Sequence, residues 1–132
     1  IHTLIDMFKL KGYLNRLNLI ERAVIMMTTA EQIPFQLILN SGNARSFAME
    51  ALQFAKQGKM AEADEAMVKA KEAINEAHHF QTELIQSEAR GEKTEISVLL
   101  IHAQDHLMNA ITVKELAAEF IDLYKKLEAK GE

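Results

Sequence analysis

The chain has no cysteine and no tryptophan, and aromatic residues make up 6% of its 132 residues. Without cysteine, disulfides, thiolate catalysis and cysteine-ligated zinc are excluded. The shortage of aromatics beside seven methionines points to a core of aliphatic side chains and flexible thioethers. Positive charge is not in excess. The formal net charge of -4 argues against nucleic acid as a partner, because a phosphate backbone calls for a basic stripe. No apolar run approaches the roughly 20 residues that span a bilayer, and the run around Ile96 to Ile101 is far too short. A cytoplasmic protein without membrane insertion is expected. The length supports one domain with a modest core.

Residues 1–26 differ from the rest. Lys9, Lys11, Arg16 and Arg22 outnumber Asp6 and Glu21 there, while the remainder carries an acidic excess. The chain opens on Ile1, whereas Met26-Met27 precedes a good helix start, with Thr28–Glu31 and Thr29–Gln32 as overlapping capping boxes. Two readings stand open. Glu21-Arg22 can be encoded by GAAAGG, a purine-rich run like a ribosome-binding site upstream of a Met codon, which makes the segment a translated leader. Alternatively it is a genuine N-terminal helix, with Leu4, Met7, Leu10, Leu14 and Leu17 on one stripe.

Three long helical patterns follow. The first runs from about Glu31 to Gln57, with Ile33, Leu37, Phe47, Ala48, Ala51, Leu52 and Ala55 at helical spacing. Gly58 is a natural stop, Pro34 falls where a missing N–H is tolerated, and Gly42 marks close packing or a weak point. The second runs from about Met60 to Arg90 on the stripe Met60, Ala63, Met67, Ala70, Ile74, Ala77 and Leu84, and Gly91 ends it. The third begins near Thr94 and reaches about Lys130. Leu99, Ala103, His106, Ala110, Val113, Ala117, Phe120, Tyr124 and Leu127 alternate steps of four and three, a heptad seam. The short connections make neighbouring helices antiparallel. The expected fold is therefore all-α, an up-down-up three-helix bundle. Leu100, Leu107 and Ile111 form a second apolar stripe on the third helix. One face is expected to serve the intrachain core and the other to meet identical neighbours in a cyclic homo-oligomer.

The chemistry is concentrated in this third helix. At about 100° per residue, His102, Asp105 and His106 share one side of it. Imidazole acts as nucleophile, base or metal ligand near neutral pH, and a neutral ring nitrogen is a competent nucleophile toward phosphorus when its partner nitrogen is held in one tautomer. His102 emerges from an apolar surface, where a lone histidine is usually a hydrogen-bonded structural residue. Gln104, Asp105 and His106 beside it change that reading. His102 and His106 match the zinc-binding half of an HExxH helix, but Ala103-Gln104-Asp105 lacks the general base at the required place. Asp105 can contribute to a metal site shared by subunits, since symmetry-related carboxylates on an axis invite a hard cation such as Mg²⁺. It can also make an ordinary hydrogen bond to a neighbouring helix. His78 and His79 point about 100° apart and are assigned structural or supporting roles. A purely structural helical oligomer and a metal-binding bundle using His102, Asp105 and His106 remain as alternatives.

From about Met27 to Lys130 the chain resembles the IIA component of the lactose/cellobiose branch of the bacterial phosphoenolpyruvate-dependent sugar phosphotransferase system. The matching pieces are Asn40-Ser41-Gly42-Asn43-Ala44-Arg45-Ser46, Glu76-Ala77-His78 with Gln81-Thr82, and above all His102-Ala103-Gln104-Asp105-His106-Leu107-Met108. The resemblance divides the chain into a non-family extension, residues 1–26, and a IIA domain over 27–132. It implies a phosphocarrier in which phospho-HPr donates to His102, a cysteine of the cognate IIB accepts, and the membrane component IIC is served indirectly. It also implies a homotrimer of three-helix subunits, Asp105 binding a metal ion at its centre, and Gln104 and His106 as polar neighbours of the active histidine. Ala103, where lactose-type members carry glycine, leans toward a cellobiose or chitobiose-type sugar. Met108 and nearby aliphatic residues are expected to rim His102 for docking.

Overall fold

The computed structural model describes residues 9, 11–13, 15–27 and 29–131. Among the described residues there is no strand, and the helices bounded in full are α1 (Leu19–Met26), α2 (Thr29–Lys56), α3 (Met60–Ala89) and α4 (Val98–Lys130). The chain divides into two compact units, Ile1–Gln32 and Ile33–Glu132.

In the first unit, α1 opens on a reciprocal capping box. The Asn18 backbone N–H donates to Glu21 Oε2 at 2.8 Å, and the Glu21 N–H donates to Asn18 Oδ1 at 2.9 Å. Two of the N-terminal donors that a helix cannot satisfy internally are thereby paired. Leu17 lies in the turn preceding α1, so it does not continue a helical stripe. Leu4, Met7, Leu10 and Leu14, the Thr28–Glu31 box and the hydroxyl of Thr29 lie outside the described residues. Gln32 donates its amide to the Met27 carbonyl at 3.4 Å.

The second unit is the expected antiparallel bundle, and its core clusters reveal the chain direction. One layer joins Leu37, Ala77, Ala103 and Leu107; the next joins Ala44, Ile74 and Ala110; then come Ala48, Ala70 and Ala117; the last holds Ala51, Ala55, Ala63, Ala66 and Ile121. From layer to layer the numbers rise in α2, fall in α3 and rise in α4. Alanine supplies half or more of each layer, and the larger residues Ile33, Phe47, Met67 and Phe80 pack on the flanks.

Both interhelical turns end their helices as the glycines foretell. Gly58 and Gly91 have φ of +74° and +83°. The N–H of Lys59 reaches back to the Phe54 carbonyl at 2.9 Å and that of Gly58 to Ala55 at 3.1 Å. Glu92 and Gly91 repeat the pattern onto Ser87 and Glu88. These are Schellman caps, for which glycine is suited because it carries no Cβ into the left-handed region. The second turn is gripped further: Glu92 accepts from Arg90 Nε at 3.0 Å and from the Ser87 hydroxyl at 2.6 Å. The Arg90 hydrogen bond, then Ser87, hold its carboxyl below the usual value.

Two expectations are corrected. First, α4 starts at Val98 rather than near Thr94. Ser97, in extended backbone, caps it by accepting the Leu100 N–H at 3.1 Å. Second, the two stripes do not divide between the core and an outer face, because Leu107 and Ile111 of the second stripe turn into the intrachain core. Leu107 is 0% exposed, and Ile111 packs against two core clusters. A helix that touches two others needs an apolar face wider than a single seam, so residues of both stripes, among them Ala103, Ala110 and Ala117 of the first and Leu107 and Ile111 of the second, enter the same core. The face that stays open instead carries Val98, Ile101, Met108, Leu116, Leu123 and Leu127. Within the seam, Leu99, Phe120 and Leu127 are also exposed rather than packed.

Gly42 is a weak point rather than a close approach, because a Cβ added there meets nothing within 4 Å. Gly42→Ala is expected to stabilise the chain by about 1 kcal/mol through helix propensity and a less entropic unfolded state. A higher urea midpoint at unchanged slope is the readout; an unchanged or lower midpoint rejects the account.

Candidate functional site

The site is built on the second and third turns of α4. Its floor is the layer of Leu37, Ala77, Ala103 and Leu107. Ala103 and Leu107, both 0% exposed, are the residues that immediately follow His102 and His106 in sequence. Their burial fixes the rotation of the helix, and with it the direction of both imidazoles.

His102 is exposed and His106 half-buried. Their Nε2 atoms lie 3.0 Å apart, and the ring centroids are 4.4 Å apart with planes at 83°. At that distance one Nε2 carries a proton and the other offers a lone pair. With the proton on His106, His102 Nε2 is the acceptor of the pair and keeps an unprotonated lone pair, the form that attacks phosphorus once this hydrogen bond opens.

The other sequence-nominated residues separate from this pair. Gln104 turns toward α3, where its Oε1 accepts from Gln81 Nε2 at 2.8 Å. It lines a groove of about 410 Å³ with Leu84, Thr94, Ile96 and Leu100, and no described hydrogen bond joins its side chain to His102. Asp105 is exposed and accepts from Asn109 Nδ2 at 3.1 Å through Oδ2. It bonds neither histidine among the described contacts. Asn109 was not singled out by the sequence, although its i,i+4 spacing from Asp105 is the available signal. Gln81 stands in a recognised motif, but spacing does not reveal a partner 23 residues away.

His78 and His79 are both exposed, while Ala77 and Phe80 on either side supply the core contacts. His79 Nε2 lies 3.6 Å from Glu83 Oε1 and its ring meets Phe80 edge-on. Neither joins the pair on α4 through any described contact. No group of three or more His, Asp or Glu side chains able to hold a metal occurs among the described residues. A single chain therefore offers one carboxylate and one bis-imidazole pair, each separate. Exposed apolar residues occur on the same stretch of α4: Val98, one turn before His102, is 84% exposed, Ile101 61% and Met108 55%. None of the described helices is long and apolar enough to cross a membrane.

Comparison with known proteins bears on this arrangement. The family model "PTS system, Lactose/Cellobiose specific IIA subunit" matches residues 32–125. The lichenan-specific phosphotransferase enzyme IIA component of Bacillus subtilis (strain 168) is 60% identical over 102 residues, 76% of this chain and 93% of that protein. The crystal structure of the cellobiose-specific enzyme IIA from Bacillus anthracis superposes with a TM-score of 0.77 at 99% identity, covering 80% of this chain and 97% of that one. The solution structure of the IIA(chitobiose)–HPr complex of Escherichia coli superposes with a TM-score of 0.67 at 44% identity, covering 77% of this chain and 99% of that one. With its three-helix core and the histidine pair of α4, the chain belongs to the lactose/cellobiose-specific IIA family of the sugar phosphotransferase system and is a phosphotransferase component acting through a phosphohistidine.

Proposed function

We propose that His102 is the phosphorylated residue, that phospho-HPr is its donor, and that a cysteine of the cognate IIB protein takes the group onward for uptake of a β-linked sugar through IIC. The observation that carries this reading is an exposed His102 whose Nε2 is held 3.0 Å from His106 Nε2. The lone pair of His102 Nε2 attacks phosphorus as the donor's P–N bond breaks, and that electron pair leaves on the donor imidazole. The His106 N–H then loses its acceptor and turns to a phosphoryl oxygen, a charge-assisted hydrogen bond that strengthens as charge arrives. In the second transfer a thiolate attacks phosphorus and the electron pair returns to His102. The protein's task is to position two rings and limit water. The apolar rim of Val98, Ile101 and Met108 suits docking to two partners in turn. Relatives named for lichenan, cellobiose and chitobiose support a β-linked glucoside or chitobiose-type sugar. A cytoplasmic place follows from such partners.

The test is phosphoryl transfer. Purified chain is incubated with phosphoenolpyruvate, enzyme I and HPr and read by intact mass. One acid-labile phosphoryl group per chain is expected; an unlabelled, well-folded chain beside active donors removes the reading.

The open face of α4 supports assembly as a homotrimer. Val98, Asp105, Asn109, Thr112, Leu116, Glu119 and Leu123 fall at heptad steps and are all exposed, a second seam for copies of the same helix. Asp105 falls in its middle, with Oδ2 steadied by Asn109. Such a hard oxygen donor, brought threefold to an axis, fits Mg²⁺ or a similar cation. The cation would neutralise the converging carboxylates. Leu116→Glu places three like charges in the seam and is expected to convert a trimer into monomers in light scattering at micromolar concentration. A monomeric wild type, or a trimeric variant, rejects the assembly.

A further inference from the structure

Two imidazole nitrogens 3.0 Å apart on one helix face are also a chelate. Metal–nitrogen bonds to histidine are about 2.0–2.1 Å. Two such bonds reaching nitrogens separated by 3.0 Å meet at an angle of about 94°. That is the right angle of square-planar or octahedral coordination, as Cu²⁺ and Ni²⁺ prefer. Tetrahedral zinc, at about 109°, asks for nitrogens about 3.3 Å apart. We infer that His102 and His106 form a binding site for a borderline divalent transition ion of the Ni²⁺ or Cu²⁺ type, and that its occupation blocks phosphoryl acceptance. The blocking half rests on the assignment of His102 proposed above; the binding half does not.

Three observations support the chelate. The helix is already formed and its rotation is fixed by buried Ala103 and Leu107, so binding orders only two short side chains. The pair opens to solvent through His102, which leaves the remaining coordination positions to water. The rings stand at 83° to one another, and a modest rotation of each aims both lone pairs at a common point. In the hydrogen-bonded pair one Nε2 carries a proton. On chelation that proton moves through solvent to Nδ1 of the same ring, so both rings present lone pairs at Nε2 and the neutral pair releases no net proton. The ion then occupies the lone pair that would attack phosphorus.

This site differs in kind from the carboxylate of Asp105. Imidazole suits borderline transition ions such as Cu²⁺, Ni²⁺ and Zn²⁺, whereas carboxylate oxygen suits Mg²⁺. Asp105 bonds Asn109 rather than either histidine. His78 and His79, adjacent on α3, diverge by about 100° and do not form an equivalent chelate.

The experiment is calorimetric titration of the whole chain with Ni²⁺ in excess Mg²⁺, for wild type, His102→Gln and His106→Gln. Helix content by circular dichroism ensures that each variant is folded. One site per chain in the wild type, weakened at least about tenfold in both variants and untouched by Mg²⁺, is expected. Equal binding by wild type and either variant overturns the site. In parallel, HPr-dependent phosphorylation of the wild type is followed with and without Ni²⁺. Slowing by Ni²⁺, restored by a chelator added before the donor, is expected; full-rate labelling of the nickel-loaded chain overturns the block. Absence of labelling without metal would instead count against His102 as acceptor, and the titration decides the chelate on its own.

Discussion

His102→Gln is expected to reduce phosphoryl acceptance from HPr to background while leaving helix content and thermal midpoint unchanged. Glutamine retains a hydrogen-bonding amide but offers no nucleophilic nitrogen, so the P–N bond cannot form. The ring is exposed, and its one recorded polar partner is His106 Nε2. The fold therefore loses little beyond one exposed hydrogen bond, worth about 1 kcal/mol or less. A structural histidine would behave oppositely, with a lowered midpoint and labelling retained in the surviving folded fraction. His106→Ala separates the two members of the pair. It keeps the nucleophile and removes the donor that turns to the phosphoryl group, so labelling persists at a rate lowered about 10- to 100-fold, the worth of one hydrogen bond to a charged group. If the two variants lose labelling equally and completely, His106 is not a supporting donor and the assignment of nucleophile between the rings fails.

The legibility of this site in the sequence follows from range. Periodicity is local, and it gave α2, α3 and α4 with Gly58 and Gly91 at their ends, because a left-handed cap needs glycine whatever surrounds it. The i,i+4 meeting of His102 and His106 is local too, and the structure brings the rings together at 3.0 Å. The start of α4 was misplaced at Thr94 because Thr94 and Ser97 are both cap formers, and only tertiary context chooses Ser97. Which stripe Leu107 serves stays open in the sequence, because a single helix pattern does not say how many neighbours the helix has. Gln104 illustrates the limit most clearly. In sequence it stands between His102 and His106, yet its amide belongs to Gln81 across the bundle, a pairing no spacing rule reaches. Asn18–Glu21 went unread for another reason. Asn-x-x-Glu has the same capping logic as the threonine boxes before α2, but it stands ahead of a helix of only eight residues.

Leu107→Ala is the substitution expected to cost the most stability among those at the site. Leu107 is 0% exposed in the layer it shares with Leu37, Ala77 and Ala103. Two alanines already line that layer, so a third leaves Leu37 facing a void that the packed helices cannot close without sliding. Deleting a buried leucine to alanine costs about 2–5 kcal/mol, with the upper part of the range where the cavity persists. For a bundle of this size, that lowers the thermal midpoint by about 10 °C or more. The functional consequence differs from that of His102→Gln. Leu107 anchors the turn on which His106 stands, so the variant is expected to label slowly near its melting range and at close to the normal rate well below it, where the bundle is still folded. Scanning calorimetry, with labelling rates measured at two temperatures, separates the cases. A midpoint within about 2 °C of wild type would mean that the layer collapses around the missing side chain. A rate lost at every temperature would mean that the floor sets the ring geometry directly, and that the histidine pair depends on close packing rather than on the helix alone.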